Sequence, residues 1–237
     1  MSQAFDIKRF VRLVRHDLRS CPKEFVFGGL WMAVGLVPII VLSHQYITHD
    51  YAGTLYRVFM LVTMIAIESV MVPQSVYPNV GKKKQGIYYA MLPATKAEKH
   101  LSMATVAMVV IPVMLIAVGL ASDVLLTAVH LPGYDRYFWQ AERWHSIDVP
   151  MIVGIVVTFI GAVFASIYAN AILHKGLHCF VFIVAMLWLV CGMIALPAIF
   201  YIKEPAQGIY WAVIAVETAV AVLFIWLSRR EMDKLQY

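Results

Sequence analysis

Six apolar stretches, each about as long as a bilayer core is thick, leave this chain few folds to choose from. A helix needs roughly 20 residues to cross about 30 Å of hydrocarbon. Phe25–Ser43, Leu55–Tyr77, Leu101–Val129, Val149–Asn170, Leu177–Tyr201 and Ile209–Ser228 all come near that length. None alternates apolar and polar residues as a barrel strand does. Backbone in lipid must satisfy its hydrogen bonds internally, so each stretch is expected to be a helix. The third is longer than crossing requires and holds Pro112 and Gly119, which predicts a tilt or a kink. Composition agrees. The chain is 62% hydrophobic and 14% charged, with mean hydropathy +0.77, whereas soluble domains carry about 25% charged residues. Too few polar side chains remain to cover a water-facing surface.

The net charge of +5 is explained by topology. Fifteen of the nineteen Lys and Arg fall in the amino-terminal segment, the second loop, the fourth loop and the tail, against Arg57, Arg136, Arg143 and Lys203 on the other side. Cytoplasmic loops accumulate positive charge, so both termini are expected inside, and an even number of spans agrees with that. No nucleic-acid partner is needed to account for the basicity. The expected fold class is therefore an all-α membrane protein with six transmembrane helices. It divides into an amphipathic interfacial helix (1–24), a membrane domain (25–228) and a cytosolic tail (229–237). A cleavable signal peptide fits poorly with two dozen mostly polar residues ahead of a run of spanning length. Cys21, Cys179 and Cys191 offer neither a metal-ligand spacing nor an even disulfide framework.

In the first 24 residues Ile7, Phe10, Val11, Val14 and Leu18 recur at helical spacing, with Lys8, Arg12, Arg15 and Arg19 on the other side. Such a helix lies in the membrane interface with its cations near anionic headgroups, or packs as a stalk on other cytosolic parts. Two carboxylates, Glu68 and Glu217, fall near the centres of the second and sixth spans. A midplane acid costs roughly 2.5–3.5 kcal/mol on insertion scales, so both are expected to face the bundle interior or a cavity. They either bond helix to helix or line a polar path. Small residues four apart, Gly161-Ala165-Ala169 beside Ala162-Ser166-Asn170, allow a helix to approach the fourth span closely. The outer loop Leu131–Ser146 carries Tyr134, Tyr137, Phe138, Trp139 and Trp144 and reads as an interfacial aromatic belt.

The second inner loop (79–100) is the most informative. Gly86 and Pro93 bound a helix-sized piece whose Ile87, Met91 and Leu92 can share a face. Thr95 and Glu98 have the spacing of a capping box, which sets the start of the third span at about Lys96. The run Leu92-Pro93-Ala94-Thr95-Lys96-Ala97-Glu98-Lys99, placed after the second of six spans, resembles a signature of the ABC type-2 transporter permeases. Layout is similar over nearly the whole chain, the motif itself over Asn79 to Ser102. The resemblance implies a membrane-spanning exporter subunit in a prokaryotic cytoplasmic membrane, with no enzymatic activity of its own. It implies that Ile87, Tyr88, Met91, Leu92, Thr95 and Glu98 couple it to an ATP-binding-cassette ATPase, and that it works with a second permease half, as a homodimer or a heterodimer. In that family re-entrant helices often precede the last span, whereas here the connection Lys203–Gly208 is short.

The sequence contains no G-x-x-x-x-G-K-[ST], so ATP and Mg are expected in a separate chain and no cofactor in this one. Hydrolase motifs such as G-x-S-x-G and H-E-x-x-H are also absent from the sequence. His44, His49, His174 and His178 read as surface histidines. Two other functions fit the composition: a proton- or ion-coupled carrier titrating Glu68 and Glu217, and a membrane scaffold recruiting partners through its basic face. A carrier predicts an internal repeat between the two halves, but Glu68 and Glu217 do not occupy equivalent helices.

Overall fold

The computed structural model describes residues 5–20, 30, 50–75, 92–128, 149–171, 180–185, 187–188 and 207–234. Apart from a few residues flanking helix starts, all of these are helical. The elements are α1 (Ile7–Ser20), α2 (Asp50–Ser75), α3 (Lys96–Thr105), a π-helical turn (Val106–Val110), α4 (Ile111–Ala128), α5 (Val149–Ala171) and α6 (Gln207–Lys234). Three helical stretches are long and apolar enough to cross a membrane: Lys96–Ser122, Ile152–Ala171 and Trp211–Met232. Leu61–Gln74 within α2 is a shorter apolar stretch. The described residues are thus all but wholly helical, and the three long apolar helices mark an integral membrane protein. The expected second, third, fourth and sixth spans correspond to α2, α3–α4, α5 and α6. The expected first and fifth lie outside the described residues, save positions 30, 180–185 and 187–188.

The kink expected in the third span takes the form of the π turn. Pro112 has no N–H and its ring crowds the carbonyl four residues earlier, so an α-helical ladder cannot run through it undisturbed. The preceding turn widens, and the Ile111 N–H reaches back five residues to the Val106 carbonyl. One turn earlier Thr105 Oγ1 donates to the Leu101 carbonyl at 2.8 Å, a back-bond that favours bending.

Lipid tails are as apolar as leucine, so burial from water does not drive these helices together; close packing and interhelical hydrogen bonds do. The small residues of α5 perform this role. Gly161, Ala162, Ala165, Ser166, Ala169 and Asn170 are all buried. A β-carbon at Gly161 would run into the Trp188 indole. Ser166 Oγ donates to the Val70 carbonyl at 2.6 Å, and Gln74 Nε2 donates to the Ser166 carbonyl at 2.8 Å, joining α5 to α2. Thr158 opposite Glu217, and Tyr168 stacked near Phe224 at 6.2 Å, show that α5 and α6 run parallel. Trp188 lies against Gly161 of α5 and 6.0 Å from the Phe224 ring of α6.

The core gathers at one end of the bundle. Val70 of α2, Met103 of α3, Val106 and Ala107 of the π turn, Leu115 of α4, Ile167 of α5 and Met232 of α6 are buried there, with Val14 and Leu18 of α1 packed on them. Outward rows such as Val109, Val113 and Ile116, and Val216, Val222 and Leu223, are exposed, as lipid-facing residues should be.

Replacing Gly161 by valine should overpack the Trp188 contact and cost about 1–3 kcal/mol. Thermal unfolding of the purified protein in detergent checks this. Gly161→Val should lower the midpoint, and adding Trp188→Leu should recover part of the loss.

Candidate functional site

Helix α3 begins where sequence spacing places it, and its first turn has two capping bonds. Thr95, extended at φ −69° and ψ 157°, accepts from the Glu98 N–H at 3.2 Å, and Glu98 Oε2 accepts from the Thr95 N–H at 2.7 Å. A carboxylate here also faces the positive end of the helix dipole.

The same carboxylate holds α1. Glu98 Oε1 accepts from the Asp6 N–H at 2.8 Å and from Arg9 Nη2 at 2.8 Å, while Arg9 Nε lies 3.0 Å from Oε2. Asp6 in turn caps α1: its Oδ1 accepts from the Lys8 N–H at 2.9 Å and its carbonyl takes the first helical bond from Phe10. Glu98 therefore sits at the start of two helices, 0% exposed, with its acceptor sites filled by two backbone donors and a two-nitrogen guanidinium grip. The hydrogen bond to that carboxylate, with its charge, holds the Arg9 pKa above the ordinary arginine value.

A second bond lies one turn along. Ser102 Oγ donates to Asp17 Oδ2 at 2.6 Å, and both side chains are buried. On the other side of α3, His100 Nε2 is 2.9 Å from Ser228 Oγ of α6, and its ring lies 5.7 Å from that of Phe164 on α5. Residues 98–102 thus bind α1, α5 and α6 within a little over one turn, immediately before the π turn.

Docking adds a buried stripe to the two sides that sequence periodicity gave, and divides the apolar side along its length, Val14 and Leu18 packing on the core. At about 100° per residue, Arg9, Leu13 and Asp17 form the stripe turned to α3; Leu13 and Asp17 are buried. Ile7 and Val11, expected to be part of a single apolar face, are 69% and 57% exposed. Lys8, Arg12, Arg15 and Arg19 form an exposed row on the third side.

Of the residues expected to couple to a partner, Ile87, Tyr88 and Met91 lie outside the described residues. Leu92 is half-buried and packs against the core cluster. Thr95 is half-buried and Glu98 enclosed. Glu217 is buried on α6, where the Thr158 hydroxyl donates to its Oε2 at 2.9 Å and lies equally far from the Gly154 carbonyl. Glu68 is half-buried on α2. His44, His49, His174, His178 and the aromatic outer loop fall outside the described residues. Arg9, Asp17, His100, Ser102 and Ser228 were not singled out by their sequence pattern. Among the described residues no group of three or more His, Cys, Asp or Glu could hold a metal ion. Comparison with protein-family models, with curated proteins and with solved structures finds no match.

Removing the cap hydroxyl with Thr95→Ala should cost about 1 kcal/mol, and Thr95→Ser nearly nothing; thermal unfolding in detergent measures both. Glu98→Gln keeps an acceptor for the caps but loses the charge that holds Arg9. Limited proteolysis should then cut within residues 7–20 faster than in the parent, at unchanged cutting elsewhere.

Proposed function

We propose that this chain is the membrane-spanning permease subunit of an ATP-binding-cassette exporter of a prokaryotic cytoplasmic membrane. Both of its termini would be cytosolic, and it would pair with a second permease half. A separate ATPase subunit binds ATP and Mg. In this reading the segment 86–92 is the coupling helix, and Ile87, Tyr88, Met91 and Leu92 meet the ATPase.

One observation carries the reading beyond the resemblance of Leu92–Lys99. Glu98, six residues after that segment, joins the start of the third span to α1, and His100 joins it to α6. A push on the segment therefore reaches a rigid junction rather than a slack loop. The π turn at Val106–Val110 separates that junction from α4, so the junction can tilt without dragging the outer half of the span. Glu217 bonded to Thr158 is consistent with a neutral acid tying α6 to α5. This favours packing over proton coupling.

Purification of the tagged chain from its own cells should bring down an ATPase in stoichiometric amount. Leu92→Asp and Tyr88→Ala should each lose it while the chain stays monodisperse. Glu217→Gln should leave nucleotide-driven export within about twofold, because a bond to Thr158 survives the change. Abolition of transport by that variant, with transport following a pH gradient in liposomes free of ATPase, would establish the carrier instead.

A further inference from the structure

The cation row of α1 takes no part in the junction just described. Lys8, Arg12, Arg15 and Arg19 are exposed along one side, and Ile7 and Val11, at the first turns of the next, are 69% and 57% exposed, while Val14 and Leu18 farther along it pack on the core. Neither sector can turn away, because the third is fixed to α3 by Arg9 on Glu98 and Ser102 on Asp17. That attachment lies at the first turns of a membrane-spanning helix, Lys96–Ser122, so α1 sits at the level where hydrocarbon gives way to headgroups. An exposed apolar strip beside a row of four cations at that depth matches a lipid monolayer, with acyl chains for the one and phosphates for the other.

We propose that the α1 cation row is a binding site for anionic phospholipid headgroups, and that lipid bound there tightens the grip of α1 on the start of the third span. The chemistry is charge-assisted hydrogen bonding of Lys8, Arg12, Arg15 and Arg19 to phosphodiester oxygens, with Ile7 and Val11 inserted among the chains. Transmission runs through Glu98 and Asp17, the two carboxylates that α1 and α3 share. Lipid charge then sets how firmly the junction at residues 98–102 is held. This inference requires no ATPase and stands apart from the transport reading.

Hydrogen exchange of the full chain in nanodiscs tests it. One set contains phosphatidylcholine alone, and the other contains phosphatidylcholine with phosphatidylglycerol. Each cation near an anionic surface gains roughly fivefold in partitioning, so amides 7–20 should exchange about tenfold or more slowly in the anionic discs. Amides 96–102 should slow with them. A variant with Lys8, Arg12, Arg15 and Arg19 all changed to Gln should show no difference between the two lipids, at unchanged protection in α5. Glu98→Gln should keep the lipid effect on 7–20 and weaken it on 96–102, where the Asp17–Ser102 bond remains. Equal exchange of the parent in both discs would overturn the site and leave the row to an acidic protein partner. A lipid effect surviving in the four-Gln variant would also overturn it. Slowing at 7–20 in the parent without slowing at 96–102 would overturn the coupling to the span.

Discussion

A single buried carboxylate organises this end of the molecule. Glu98 is closed off from solvent, yet it accepts from the Thr95 and Asp6 backbone N–H groups and from the Arg9 side chain. Two of those donors are backbone N–H groups at helix starts, which a helix leaves unsatisfied by itself. Taking a charge out of water is costly, and the arrangement is tolerable only because every acceptor site is filled. The result is that a helix outside the bundle, a loop and a membrane span share one fixed point. The Asp17–Ser102 bond and apolar contacts of Val14 and Leu18 add to that attachment.

Around that point the fold uses two different kinds of cohesion. Small residues on α5 let α2, α6 and Trp188 come close, and hydroxyl bonds such as Ser166 to Val70 register them. Toward the attached end, polar side chains take over: His100 on Ser228, Ser102 on Asp17, Arg9 on Glu98. The π turn at Val106–Val110, ahead of Pro112, follows the polar junction along the third span. The permease reading proposed above would use this junction as the foot that takes the push.

Much of this was legible in the residues themselves. Hydropathy gave Leu101–Val129, Val149–Asn170 and Ile209–Ser228, where the helical runs are α3 through α4, Val149–Ala171 and Gln207–Lys234. The Thr95–Glu98 spacing gave both the helix start and its cap, since a capping box is a local device whose partners lie three apart. The Gly161 ridge was legible for the same reason. Arg9 was not. It was counted with the topology-setting cations because its partner is 89 residues away, and no local pattern reports that distance. A hint was present all the same. Lys8, Arg12, Arg15 and Arg19 form one row, whereas Arg9 falls outside it on a stripe with Leu13 and Asp17, an unusual mixture for a solvent face. A two-sided reading of amphipathicity averages such a stripe away. The π turn was visible only as an expected kink, because proline announces a break in the ladder without saying how the neighbouring turn will absorb it.

The measurement that bears most directly on this account is a double-variant cycle on Arg9→Gln and Glu98→Gln, read as the protection of amides 7–20. If the two side chains act through each other, either change alone should release α1, and combining them should add almost nothing. Additive losses would mean that Arg9 and Glu98 support α1 independently, and the fixed point described here would not exist.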